Sequence, residues 1–199
     1  MSTLIGLSGF ARVGKDTAAM NMRGFTRFAF ADPLKADIAP LLEMIGCDIM
    51  IPHHKEKARP LLVEWGATAR RFNPNFWIER TLRAIRESPS DKIAITDVRY
   101  ANEVAAILAQ GGKVIRIDRP AHGPANAEER LSFELLDRRY PALPRVMNDS
   151  TPEILGARIE QLIFKSERDE NARPLILDPP LSQRNQGFQK GAAHDAKSL

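Results

Sequence analysis

The stretch Gly9-Phe10-Ala11-Arg12-Val13-Gly14-Lys15-Asp16-Thr17 separates two glycines by four residues and follows the second with a lysine. Phosphate oxygens need several donors close together, and a glycine-rich turn lets successive backbone N–H groups converge on them. A lysine next to that turn adds a mobile cation for the outer phosphates of a polyphosphate. The position after the lysine usually carries a hydroxyl that ligates Mg²⁺; here it is Asp16, with Thr17 next. A carboxylate is also a hard oxygen ligand for that ion. Gly9, Ala11, Arg12, Val13, Gly14, Lys15, Asp16 and Thr17 are therefore the candidate phosphate contacts, with Asp16 and Thr17 as candidate metal ligands.

A second group of chemistry-bearing residues lies further along. Asp97 and Arg99 follow the apolar run KIAIT. At the carboxyl end of a strand in an open α/β sheet they would face the ligand crevice, where a carboxylate can hold a metal and an arginine can clamp a phosphate. Between residues 58 and 83, Arg59, Arg70, Arg71, Arg80 and Arg83 alternate with Trp65, Phe72, Phe76 and Trp77, a mixture that suits a base plus a phosphate and equally an amphipathic helix pair. Arg116, Arg119, Arg130, Arg138 and Arg139 flank or lie in the segment after the next strand, where an arginine-bearing lid could neutralise a transferring phosphoryl group. His53 and His54 lack a third ligand at suitable spacing and read as loop residues; Cys47 reads as a small buried apolar side chain.

These groups need a scaffold, and the hydrophobic pattern supplies one. Residues 3–8, 26–30, 92–96 and 113–117 read as strands, with a short one around Val146. Helices are expected over 15–23, from Asp32-Pro33 onward with Asp32 as cap, and over 58–71, 76–87, 102–110, 127–136 and 151–164. Strands alternating with helices imply an α/β fold with a parallel sheet covered on both faces. One kinase-like body is expected over 1–166, with acceptor helices at about 32–90 and a lid at about 118–144. Residues 167–199 form a tail of low periodicity, expected to be disordered or strapped to the surface.

Composition narrows the classes. The chain has 199 residues, one cysteine and a formal net charge of +4. That size builds a full core, and a single cysteine excludes an internal disulfide or a multi-cysteine zinc site. No apolar run approaches the roughly 18 residues of a membrane helix, and the N-terminus lacks the basic segment of a signal peptide. The expectation is a soluble cytoplasmic protein. The small basic excess suits both nucleic acid and arginine-clamped polyphosphates. The absence of a lysine-rich run or a helix-turn-helix pattern argues against nucleic acid as a partner.

Taken together, LSGFARVGKDT, FADPLK, EWGATARR with the following FW, ITDVRYANE, VIRIDRP and MNDST, in this order over about residues 3–165, resemble the deoxynucleoside monophosphate kinases of tailed bacteriophages, a branch of the P-loop nucleotide kinases. The resemblance implies transfer of the ATP γ-phosphate to a dNMP with Mg²⁺, small-molecule nucleotides as partners, a homodimer in many members and a host-cytoplasmic location. It places Gly14, Lys15, Asp16 and Thr17 at the donor phosphates and Asp32 and Lys35 at the acceptor pocket, with Arg70 a candidate for the acceptor phosphate. Asp97 and Arg99 fall between the two, and Asn148 and Asp149 near the adenine. The aromatic and arginine pattern adds Trp77, Arg99 and Arg130 as substrate-binding candidates. The family often has Leu-Gly-Thr-Asp where this chain has Trp65-Gly66-Ala67-Thr68.

A nucleoside monophosphate is largely dianionic at neutral pH and needs no general base. A kinase for an alcohol acceptor, such as dephospho-coenzyme A, does want one, and Asp32 or Asp97 could serve. The reading of a different class is an ATPase stimulated by nucleic acid.

Overall fold

The structure, a computed structural model, describes residues 2–171, with side chains to 164. Five strands form one parallel sheet: β1 (Thr3–Ser8), β2 (Thr26–Phe28), β3 (Lys92–Val98), β4 (Lys113–Asp118) and β5 (Arg145–Met147), in spatial order β2-β3-β1-β4-β5. The first strand is central; between Thr3 and Ser8 at its ends, its residues Leu4 to Leu7 are apolar or glycine on both faces, so it tolerates burial from both sides.

Side chains alternate across the pleat into two cores. Ile5, Leu7, Ala94, Ile115 and Ile117 pack with Ala18 and Ala19 of α1 (Lys15–Met20) and with Leu155, Ile159 and Ile163 of α7 (Pro152–Asn171). Ile93, Ile95 and Val114 pack on the opposite face with Ile78 of α4 (Phe76–Glu87), Val104 and Ile107 of α5 (Ala101–Ala109), and Leu136 of α6 (Ala127–Arg139). Helices therefore cover both faces, as the pattern implies. Each fully buried aliphatic side chain contributes roughly 1.5–3 kcal/mol.

Outboard of the sheet, α2 (Ala31–Met44) and α3 (Pro52–Phe72) share a small cluster of Ile38, Leu42 and Ala58. His53 and His54 lie in the first turn of α3 rather than in a loop, because Pro52 at the start of the helix supplies a ready-set φ. Cys47 is half-buried rather than buried, packed against that same cluster. Helix α1 stops at Met20, short of residue 23, where the Asn21 side-chain amide donates to the Thr17 carbonyl.

Two features of the lid expectation change. Phe133 and Leu136 anchor α6 in the interior at 1% and 0% exposure, so this helix is part of the body. Arg116 is a 3%-exposed interior cation stacked on Phe10 and Phe133 and paired with Asp118 and Asp137. Its charge is spent on the fold and not on a ligand. Helix α7 runs to Asn171, into the first residues of the expected tail; the remainder, 172–199, lies outside the described residues.

Candidate active site

The loop between β1 and α1 sits at the carboxyl end of the central strand, the edge where open α/β sheets place their ligands. Its two glycines are demanded by geometry. Gly9 has φ 140°, and a Cβ there would lie 2.4 Å from the Ile117 carbonyl oxygen. Gly14 has φ 98°, and a Cβ there would lie 2.6 Å from Asn148 Nδ2. Arg12 is exposed with φ 65°, a left-handed turn residue whose carbonyl accepts from Arg119 Nη1 at 3.4 Å. Val13 is fully buried in the first core and pins the loop from below.

Lys15 folds back across the loop and donates to the carbonyls of Gly9 at 2.7 Å and Phe10 at 2.8 Å. Burial pulls its ammonium down to about 8, and the nearby Arg99 guanidinium pulls the same way against Glu129, Asp16 and Asp97. Arg99 thus stands close enough to the loop to disfavour the charge on Lys15.

Asp16 points the other way. Its Oδ1 accepts from the Thr96 hydroxyl at 2.6 Å and from Arg27 Nε at 3.0 Å. Burial pushes its carboxyl up, but the bonds from Thr96 and Arg27 more than offset this and hold it below the usual range. Arg27 then bridges to Asp32 Oδ2 at 2.6 Å, and Lys35 reaches Asp32 Oδ1 at 3.1 Å. A chain of alternating charge links the phosphate loop to the start of α2. Arg27 and Asp32 also line a cleft of about 500 Å³ between β2, α2 and α4, with Arg80, Thr81 and Arg83 on its far wall.

The donor set fits a hard divalent cation. Asp16 offers a charged hard oxygen, and Thr17 is exposed beside it. Among the described residues, no group of three or more His, Cys, Asp or Glu could hold a metal ion. A cation at Asp16 would therefore complete its shell with water and substrate oxygens.

Asp97 is committed elsewhere. Its two oxygens accept the N–H groups of Phe30 at 2.7 Å and Ala31 at 2.9 Å, which cap α2, and desolvation pushes its carboxyl up. The capping task assigned to Asp32 from the sequence thus belongs to Asp97, 66 residues away from Ala31. Asp97 ties β3 to α2, and both its oxygens are occupied by those N–H groups. Two residues on, Arg99 is half-exposed and its Nη2 lies 3.6 Å from Glu129 Oε1.

Arg70, near the end of α3, lies over the Tyr100 ring at 5.0 Å, beside the Arg99 turn. Trp77 is 2% exposed, donates its indole N–H to the Gly66 carbonyl at 3.1 Å and packs edge-on to Phe76 and Trp65. It braces α3 against α4 and leaves no ring face open to a base. Arg130 is exposed on the outer side of α6; the residue of that turn facing the loop is Glu129. Asn148 Nδ2 donates to the Val13 carbonyl at 2.8 Å, tying the loop to the end of β5, while Asp149 pairs with Arg158 on the surface.

Sequence reasoning passed over Arg27, Thr96, Glu103 and Glu129. Glu103 had a legible signal, a carboxylate three residues into a helix. Its Oε2 accepts from the N–H groups of Arg99 at 2.7 Å and Tyr100 at 3.0 Å, a capping arrangement that fixes the Arg99 turn. Burial and the neighbouring Asp97 push its carboxyl up to about 8.

No family model matches the chain. It is 31% identical over 115 residues to the uncharacterized protein ORF77 of Ictalurid herpesvirus 1 (strain Auburn), covering 56% of this chain and about half, 50%, of that protein. Among solved structures it is similar to a dephospho-CoA kinase from Campylobacter jejuni, with TM-score 0.47 and 16% identity over 84% of this chain and 100% of that one. A sugar kinase from Janibacter sp. HTCC2649 gives TM-score 0.38 and 15% identity over 82% and 95%. The functional reading rests on the loop and its surroundings.

Proposed function

We propose that the chain is an ATP-dependent phosphotransferase of the P-loop kinase type, and that its acceptor is the phosphate of a deoxynucleoside monophosphate. The observation that carries the reading is the glycine loop with Lys15 laid across it, its ammonium on the Gly9 and Phe10 carbonyls and its charge disfavoured by burial and by Arg99, an arrangement relieved by a polyanion bound there. The loop amides and Lys15 would cradle the donor phosphates. Asp16, with Thr17, would hold Mg²⁺, which supplies charge neutralisation across the transferred group.

The choice of acceptor follows from the carboxylates. Asp32 is clamped between Arg27 and Lys35, and both oxygens of Asp97 accept backbone N–H groups. A carboxylate so occupied is a poor general base, which disfavours an alcohol acceptor and suits a nucleophile that is already an anion. Arg27, Lys35, Arg70 and Arg99 stand on the acceptor side to bring that second anion in line with the first. No helix among the described residues is long and apolar enough to cross a membrane.

A coupled ADP-release assay with Mg²⁺-ATP across the dNMPs, the NMPs and dephospho-coenzyme A tests the reading. Turnover with at least one dNMP is the expected result. Turnover with dephospho-coenzyme A alone would replace the acceptor, and DNA-stimulated hydrolysis without any acceptor would replace the activity.

A further inference from the structure

Glu129 does more than an ordinary helix-capping residue. At the third position of α6 it has a local task, and its Oε2 accepts the Ala125 N–H at 2.7 Å. The cap itself is already made, because Asn126 Oδ1 accepts the Glu129 N–H at 2.8 Å. Its other oxygen goes to the phosphate loop: Oε1 accepts the Ala11 N–H at 3.0 Å, across 118 residues of chain. The same oxygen lies 3.6 Å from Arg99 Nη2, and its charge supports the Lys15 ammonium. The side chain is 3% exposed. Helix α6 is held against the loop by Phe133, whose ring meets Phe10 edge-on at 5.0 Å.

A buried carboxylate bonded to a loop amide and flanked by both site cations has the surroundings of a phosphate oxygen. We infer that Glu129 is the affinity-setting residue of this loop, an internal anion that occupies the mouth of the cradle and that an incoming polyphosphate has to displace. The inference rests on the reading of the loop as a phosphate cradle. One N–H and two cations cannot serve the carboxylate and a phosphate oxygen at once without two like charges in contact. The loop thereby stays satisfied when empty, and some binding energy is spent on expelling the carboxylate.

The chain's own residues provide the test. Glu129→Gln keeps the shape and one acceptor oxygen while removing the charge. Glu129→Asp keeps the charge but is one methylene too short to reach Ala11 and Ala125 together. Glu134→Gln, exposed on the same helix, controls for a general loss of negative charge. Inorganic pyrophosphate and Mg²⁺-ATP are titrated calorimetrically into each protein. A hydrogen bond to a charged group is worth roughly 1.5–3 kcal/mol, so Glu129→Gln should bind both ligands about tenfold tighter or more. Glu129→Asp should gain in the same direction and carries the test if the Gln protein fails to fold, while Glu134→Gln should match wild type. Binding by the Glu129 variants with none by wild type would also support the inference. Wild-type binding that the variants equal or weaken overturns it and leaves the cradle intact. No binding by any of the proteins overturns both.

Discussion

The two halves of the proposed site, one for the donor and one for the acceptor, are built differently. The donor half, β1 with its loop and α1, rests on a core whose thirteen members include Val13 of the loop itself. Its glycines are fixed by backbone approach, and Lys15 is held by two carbonyls of its own loop. The acceptor half, α2 with α3, rests on a cluster of three buried residues beside exposed Leu41, Met44, Ile45 and Met50. It joins the body through the Arg27 charge chain, the Arg80–Asp37 ion pair, the Asp97 cap and the Trp77 brace between α3 and α4. Rigid packing serves a group that must stay preorganised for a transition state. Few apolar contacts and half-exposed ion pairs suit a wall that closes on a second substrate.

Removing Lys15 should do the most damage. Lys15→Ala is expected to lose about 3–4 kcal/mol of transition-state stabilisation, on the order of 10²–10³ in kcat, with folding retained. Steady-state kinetics beside a thermal melt separates the two effects. Next comes the contrast between the cores. Ile159→Ala, under the donor half, should sit toward the top of the roughly 2–5 kcal/mol range for such truncations. Leu42→Ala, in the outboard cluster, should sit toward the bottom, because exposed neighbours let the site collapse. Urea unfolding measures both, and equal losses would erase the distinction.

Arg27→Ala cuts the chain joining the halves. Arg27 is half-exposed, so its stability cost should stay within about 1 kcal/mol. The dNMP KM should rise several-fold while ATP affinity changes little, which a two-substrate kinetic matrix resolves. The smallest effect concerns Glu103. Its folded carboxyl sits at about 8 against an ordinary 4.5. Between those values the folded state keeps a proton that the unfolded chain has released, so the group's contribution to stability is present at low pH and lost as pH rises toward 8. The wild-type Tm should therefore fall across that window by a few degrees more than that of Glu103→Gln, whose amide oxygen still accepts from Arg99 and Tyr100.

The same contrast governs what could be read from the chain alone. The donor loop was legible because its chemistry is local: spacing, a preceding apolar strand and a following helix lie within twenty residues. The apolar runs KIAIT and KVIRI likewise located β3 and β4, since a short apolar run bounded by polar residues needs no partner to be seen. The acceptor half was less legible because its partners are distant in sequence. Nothing near Asp32 shows that Asp97 caps α2, nor does the run of arginines show that Arg116 is buried between two rings. Trp77 reads the same as a stacking platform or as a core residue until its indole N–H is seen on Gly66. Glu129 and Arg130 are adjacent, and only the phase of α6, set by Phe133 and Leu136, decides which one meets the loop.

The central claim is that the glycine loop and the arginines opposite hold two anions in line. It is tested most directly with adenosine and a deoxynucleoside joined through five phosphates, titrated against ATP alone. Linking the two ligands makes the second binding event intramolecular, so the joined molecule should bind at least roughly tenfold tighter than ATP. The gain should shrink in Arg99→Ala. Affinity no better than that of ATP for every deoxynucleoside tried would contradict a two-anion site.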